Sequence, residues 1–136
     1  MMLENANKLF LKRSANVVHA AQKRMMASGE TDKGGRLGKA VLLQSYAVSL
    51  FKAGKESQAI CASAAARKMA ADIQKEITGK EDAYSQFTAE ESKMIGNCAK
   101  ETDLLVEAKS AMSNISVNDS DYKDPHTLNF NNIDIQ

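Results

Sequence analysis

Residues 42–70 read LLQSYAVSLFKAGKESQAICASAAARKMA, and this stretch decides the fold. Small and apolar residues recur at helical spacing on both sides of the turn Ala53-Gly54-Lys55. Gly54 stands where a helix C-terminus favours a left-handed residue. The pattern therefore predicts two helices folded back on each other, with alanines at the seam that let the two backbones approach closely.

The flanking sequence predicts two further amphipathic helices, one on each side of the hairpin. Before it, apolar residues fall three, four or seven apart and make one stripe. After it, Thr88-Ala89-Glu90-Glu91 matches a capping box, which is a signal for a helix start. Helix formers are plentiful and the one Pro is Pro125, so the composition also predicts an all-α protein. The four predicted helices cover about residues 2–27, 37–53, 56–77 and 88–113.

Four apolar stripes that face inward predict either a four-helix up-and-down bundle or two stacked helical hairpins. Both arrangements bury the same residues, and the sequence leaves the choice open. We expect residues 1–113 to form one helical domain. Asn and Asp become abundant in residues 114–136, which disfavours helix, so an extended C-terminal tail is expected there.

The hairpin carries small residues at three matching positions, Ala47, Ala59 and Ala66, and a glycine at its turn. With the run Gly54-Lys55-Glu56-Ser57-Gln58-Ala59-Ile60, these residues make the segment over about 40–75 resemble a single tetratricopeptide (TPR) repeat, a helical hairpin of about 34 residues. A shift of about 34 residues in either direction finds no second copy. The resemblance implies a protein-interaction scaffold without catalysis.

The tail contains apolar residues that punctuate a polar sequence in a partly alternating pattern. This pattern is compatible with a structural tail, and also with a segment that docks on a partner. Tyr46 lies at the edge of the second predicted helix and is a further candidate for partner contact. The candidate partner-binding residues are Tyr46, Leu128, Phe130, Ile133 and Ile135.

Charge is divided unevenly along a chain whose net charge is +1. Residues 1–80 hold 14 Lys and Arg against 6 Asp and Glu, whereas residues 81–136 hold 4 against 11. The two parts can neutralise each other within the fold, or the basic part can bind nucleic acid or another anion. The best anion-binding candidates are Lys33, Arg36 and Lys39, because they surround three glycines at a predicted helix start.

The sequence contains no pattern that supports catalysis or metal binding, so we predict no catalytic residues, no metal site and no cofactor. Neither His19 nor His126 has a Glu three residues before it, as a di-iron bundle requires. If the third and fourth helices are antiparallel about a loop centred near Ala83, Cys61 and Cys98 are offset by about 10 Å along the axis, which exceeds the separation that a disulfide tolerates. Two buried free thiols are therefore expected.

No run approaches the ~18 apolar residues that a membrane-spanning helix needs. The N-terminal sequence has no uninterrupted apolar region typical of a secretory signal, so a cytoplasmic location is expected. Together these observations predict a non-enzymatic helical domain that binds a protein partner or itself. The alternative is a nucleic-acid or anionic-ligand binder that uses the basic N-terminal half.

Overall fold

The computed structural model describes residues 5–112, which form three long helices followed by two short ones. Helices pack against helices throughout this part of the chain, and it contains no strand. The all-α prediction is confirmed, and the three long helices begin and end close to their predicted limits. The helices are α1 (Asn5–Ser28), α2 (Arg36–Lys52), α3 (Glu56–Thr78), α4 (Ala89–Ile95) and α5 (Glu101–Ala111).

Side-chain pairs fix the relative direction of the long helices. Asn7 of α1 donates to Glu56 at the start of α3, and Arg24 near the end of α1 donates to Gln74 near the end of α3. Contacts that advance together along both helices mean that α1 and α3 run parallel. The helix α2 runs antiparallel to both, as its short connections require.

A buried polar layer crosses the bundle and separates two apolar clusters. Its members Ser14, Gln44, Ser63 and Arg67 have no solvent exposure. The Ser63 hydroxyl donates to Gln44 Oε1 over 2.9 Å, and Gln44 Nε2 donates to the Leu11 carbonyl over 3.0 Å. One cluster, which includes Phe10 and Ile60, lies on one side of this layer. The other, which includes Leu43 and Ile73, lies on the opposite side.

The α2–α3 hairpin has the predicted alanine seam and turn. Ala47, Ala59 and Ala66 are completely buried where the two helices meet. Gly54 adopts φ +84°, its amide donates to the Phe51 carbonyl, and the next amide donates to the Leu50 carbonyl. This pair of bonds is a Schellman motif, which satisfies carbonyl groups at the end of α2.

The predicted continuous helix over 88–113 is wrong, because the chain leaves helical geometry between α4 and α5. The start is as expected: Thr88 and Glu91 form a complete capping box. Gly96 then takes φ +59° and ends α4 after seven residues. The following helix, α5, packs on α2 and buries Leu104 and Ala108. Two short helices thus stand where one long helix was expected.

We expect Gly54→Val to lower the free energy of unfolding by about 1–3 kcal/mol, because it forces a β-branched residue into a left-handed conformation. A Cβ atom at this position would meet no atom within 4 Å, so backbone strain is the cause to be tested. Urea denaturation measures the change. Ala53→Val is the matched control, because Ala53 is exposed and has φ −84°. Equal stability of the Gly54 variant and wild type would contradict the assignment.

Candidate functional site

A groove of about 470 Å³ lies between α1 and α4. Its apolar lining includes Leu9 and Phe10 from α1 and Met94 from α4. Phe10 is buried beneath the surface, whereas the Leu9 side chain is 63% exposed. The polar residues of the lining are Lys12, Arg13, Asn16, Tyr84, Thr88, Glu90 and Glu91. The groove therefore combines an apolar centre with charged and hydrogen-bonding groups, as recognition surfaces commonly do.

Arg13 connects the groove to the segment before α4. Its Nη2 atom donates to the carbonyl of Tyr84 over 2.6 Å and to that of Gln86 over 3.1 Å. The guanidinium carbon also lies 4.5 Å from the centroid of the Tyr84 ring. Its Nε atom is buried without a hydrogen-bond acceptor, 3.6 Å from Glu91 Oε1. One donor in the wall of the groove thus remains without a hydrogen bond.

A buried ion pair between Arg67 and Glu91 supports the inner side of the groove. Arg67 Nη1 and Nη2 donate to the two Glu91 carboxylate oxygens over 2.8 and 2.9 Å. Arg67 Nε donates to Ser14 Oγ, and Nη2 also donates to the Phe10 carbonyl. The guanidinium carbon lies 4.6 Å from the ring centroids of both Phe10 and Phe87. Bidentate pairing and these added bonds compensate a charge that has no access to water.

Opposing effects set the pKa of Glu91. Burial raises this pKa. Hydrogen bonds from Arg67 and from the Thr88 amide, together with the charges of Arg67 and Arg13, lower it by a larger amount. The net result is a pKa below the ordinary value. The carboxylate therefore stays ionised at neutral pH, and both oxygens are held by donors.

Tyr46 is half-buried and packs against both apolar clusters. Its hydroxyl donates to Glu107 Oε1 of α5 over 3.2 Å. Burial raises the pKa of this hydroxyl, and the Glu107 carboxylate raises it further. Tyr46 thus joins α2 to α5 and lies outside the α1–α4 groove lining. The other predicted partner-binding residues, Leu128, Phe130, Ile133 and Ile135, lie outside the described residues.

The chain's own Asp32 occupies the helix start that was predicted to bind anions. Its carboxylate oxygens accept from the amides of Leu37 and Gly38 over 2.8 and 3.0 Å, and its exposure is 2%. Burial raises the pKa of Asp32, although these two amide bonds oppose the increase. Arg36 makes a bidentate pair with Glu76 over 2.6 and 2.7 Å. The Asp32 carboxylate thus occupies the backbone amides at the start of α2, and the Glu76 carboxylate occupies the Arg36 guanidinium. These donors would otherwise attract an external anion to the predicted site at Lys33, Arg36 and Lys39.

Cys61 and Cys98 form a disulfide, so the prediction of two free thiols is wrong. Their Cα atoms are 5.5 Å apart, within the range that a disulfide requires. The prediction placed Cys98 on a continuous fourth helix antiparallel to the third, where it falls about 10 Å short of Cys61. The break at Gly96 instead brings Cys98 against α3.

The sequence reasoning missed the residues that build the groove. Arg67 carried a readable signal, because Ser63, Ala64 and Ala70 flank it at helical spacing and leave space for a buried side chain. Leu9 carried a weaker signal: it lies beside the apolar stripe of the first helix and belongs to no predicted contact. Glu91 was identified only as part of a capping box, and its second role with Arg67 depends on tertiary structure.

None of the described helices combines the length and apolar character that a membrane span requires. Within residues 5–112, no group of three or more His, Cys, Asp or Glu side chains is placed to hold a metal ion. Burial and the nearby charge of Lys23 lower the pKa of His19, which lies outside the lining of the α1–α4 groove.

We expect Glu91→Gln to lower the free energy of unfolding by about 3–5 kcal/mol at neutral pH, because it leaves the Arg67 charge buried without a counter-charge. Glu90→Gln is the matched control, since Glu90 is the exposed neighbour in the same helix and the change should stay within about 0.5 kcal/mol. Urea denaturation measures both changes. Similar effects of the two variants would show that the pair does not stabilise the fold.

The same variants make a pH-dependent prediction. A carboxylate whose folded pKa is depressed stabilises the protein above its unfolded pKa, and this contribution is lost as pH falls through the folded pKa. The stability difference between wild type and Glu91→Gln should therefore shrink as the pH falls below the ordinary value of 4.5. Denaturation series at several acidic pH values measure this. A difference that stays constant on acidification would contradict the assignment.

Comparison of the chain with protein-family models, curated proteins and solved structures finds no match.

Proposed function

We propose that the protein is a non-enzymatic interaction domain that recognises an apolar peptide segment through the groove between α1 and α4. One observation carries this proposal: an exposed Leu9 and Met94 line the same groove of about 470 Å³, which has a charged rim. Grooves of about 300–1,000 Å³ with apolar walls and a few polar groups are typical of binding sites.

The polar groups of the groove favour recognition over catalysis. Both oxygens of Glu91 already accept bonds from Arg67, and Arg13 donates to backbone carbonyls. A general acid or base needs a group that can exchange a proton with a substrate.

The first ligand to test is the chain's own segment 124–136, DPHTLNFNNIDIQ, presented by the same or a second copy. It supplies apolar anchors at Leu128, Phe130, Ile133 and Ile135, and carboxylates at Asp124 and Asp134. Large apolar anchors usually supply most of the binding energy of an interface. Acceptors beside these anchors complement Lys12 and Arg13 in the lining of the groove.

The alternative function, binding of nucleic acid or another anion by the basic N-terminal half, receives less support. Arg36 is paired with Glu76, and Asp32 covers the start of α2. Arg24 donates to Gln74. Phosphate binding would weaken steeply with added salt, which separates this alternative from an apolar groove.

We expect a synthetic peptide of residues 124–136 to shift the methyl resonance of Met94 in the full-length protein with ¹³C-methyl methionine. The resonance of Met69, which is 9% exposed in the core, should not move. Leu9→Asp should weaken binding about tenfold or more, because it places a charge at the apolar centre. Val106→Asp is the matched control, because Val106 on α5 is 68% exposed and lies outside the groove lining.

A peptide that shifts Met94 equally in the Leu9→Asp and Val106→Asp variants would contradict the proposed site. If the peptide shifts no methionine resonance, and Phe130→Asp in the full-length protein also leaves the Met94 resonance unchanged, this segment is excluded as the ligand. Binding that disappears on moderate addition of salt and survives Leu9→Asp would favour the anion-binding alternative.

A further inference from the structure

The disulfide joins α3 to the connection between α4 and α5. Cys61 lies in the second turn of α3, and Cys98 lies at the centre of residues 96–100, which separate the two short helices. Both cysteines are half-buried, so their sulfur atoms are not sealed inside either apolar cluster. Access of a small thiol to a disulfide sulfur is a condition for exchange.

A second cavity, of about 330 Å³, adjoins this disulfide. Its lining includes both cysteines, the apolar side chains of Phe87, Ile95 and Leu104, and the exposed Lys68. The disulfide therefore borders open space instead of close-packed side chains. Movement of residues 96–100 away from α3 would enlarge this space without displacing the main core.

Few other bonds hold residues 96–100 in place. In the described chain, the backbone of residues 96–99 makes no backbone hydrogen bond to α1, α2 or α3. The flanking helices have anchors of their own: Glu91 of α4 pairs with Arg67, and Leu104 and Ala108 of α5 are buried. Loss of the disulfide would thus free the connection and leave an anchor on each side of it.

From this placement we propose that the Cys61–Cys98 disulfide is a reversible redox latch that holds residues 96–100 against α3. The reductant is a small thiol of the glutathione class. Its thiolate attacks one cysteine sulfur, which forms a mixed disulfide and releases the other cysteine as a thiolate. A second small thiol then attacks the mixed disulfide, and the overall step converts the protein disulfide and two small thiols into two protein thiols and one small-molecule disulfide.

Two local features support both states of the latch. The positive charge of Lys68 beside the cavity favours a cysteine thiolate as the leaving group. The Ile95 carbonyl lies 3.1 Å from Cys98 Sγ and 3.8 Å from Cys61 Sγ, so it can accept a weak S–H bond after reduction. The latch is closed in an oxidising compartment and opens under the reducing conditions of a cytoplasm.

Hydrogen exchange measured by mass spectrometry on the full-length protein tests this proposal, in buffers of reduced and oxidised glutathione. We expect reduction to accelerate exchange of peptides that cover residues 101–106 by about tenfold or more, because the disulfide no longer restricts local opening at the start of α5, where the Leu104 amide donates to the Lys100 carbonyl. Exchange in α1 and α3 should keep its protection, and oxidised glutathione should restore the slow exchange. The double variant Cys61→Ser, Cys98→Ser is the control, and its exchange should not respond to glutathione.

Three results would overturn the latch. If glutathione reduced the disulfide only after the protein had unfolded, the disulfide would be a permanent cross-link. Reduction without faster exchange in residues 101–106 would show that other contacts hold the connection. Reduction with loss of protection throughout α1 and α3 would show that the disulfide is required for the whole fold. Each of these measurements uses wild type in both redox states, so the test remains decisive if the serine variant does not fold.

Discussion

The buried guanidinium of Arg67 is the constraint on which the rest of the structure depends. Its charge has no contact with solvent, and it is compensated only where Ser14, the Phe10 carbonyl and Glu91 meet. These partners belong to α1 and α4, whereas Arg67 belongs to α3. A shift of either helix by one turn would leave a buried charge or donor without its partner, and such groups cost several kcal/mol. We infer that Arg67 fixes the register that non-directional apolar contacts leave free.

Small side chains make this buried charge possible. Ser63, Ala64 and Ala70 surround Arg67 on α3, so the long side chain has room to extend between helices that approach closely. Small residues of α3 therefore serve two purposes: Ala59 and Ala66 permit close packing on α2, and Ser63, Ala64 and Ala70 leave a channel for one large polar group. Because the layer around Arg67 is hydrogen-bonded, it divides the core without leaving its own polar groups unsatisfied.

Local signals predicted much of the fold, and tertiary contacts account for what they missed. The turn at Gly54 and the capping box at Thr88 are each encoded within a few residues, so sequence reasoning placed them correctly. Gly96 is also a readable stop signal, but the helix predicted over residues 88–113 runs through it. That single error displaced Cys98 and concealed the disulfide. The pairing of Arg67 with Glu91, and hence the α1–α4 groove, joins residues far apart in sequence and was not deducible from helical periodicity.

The short helix α4 links the groove to this buried layer. A helix of seven residues is too short to be stable alone, since isolated helices below about 12 residues are marginal in water. Its start is held by the capping box, its inner side by the ion pair with Arg67, and the chain just after it by the disulfide at Cys98. Glu91 Oε1 accepts from both the Thr88 amide and Arg67, so one carboxylate caps the helix and docks it. The groove wall that contains Met94 therefore has a fixed position, because Glu91 lies one turn before Met94 on the same face of the helix and is bound to Arg67 in the core.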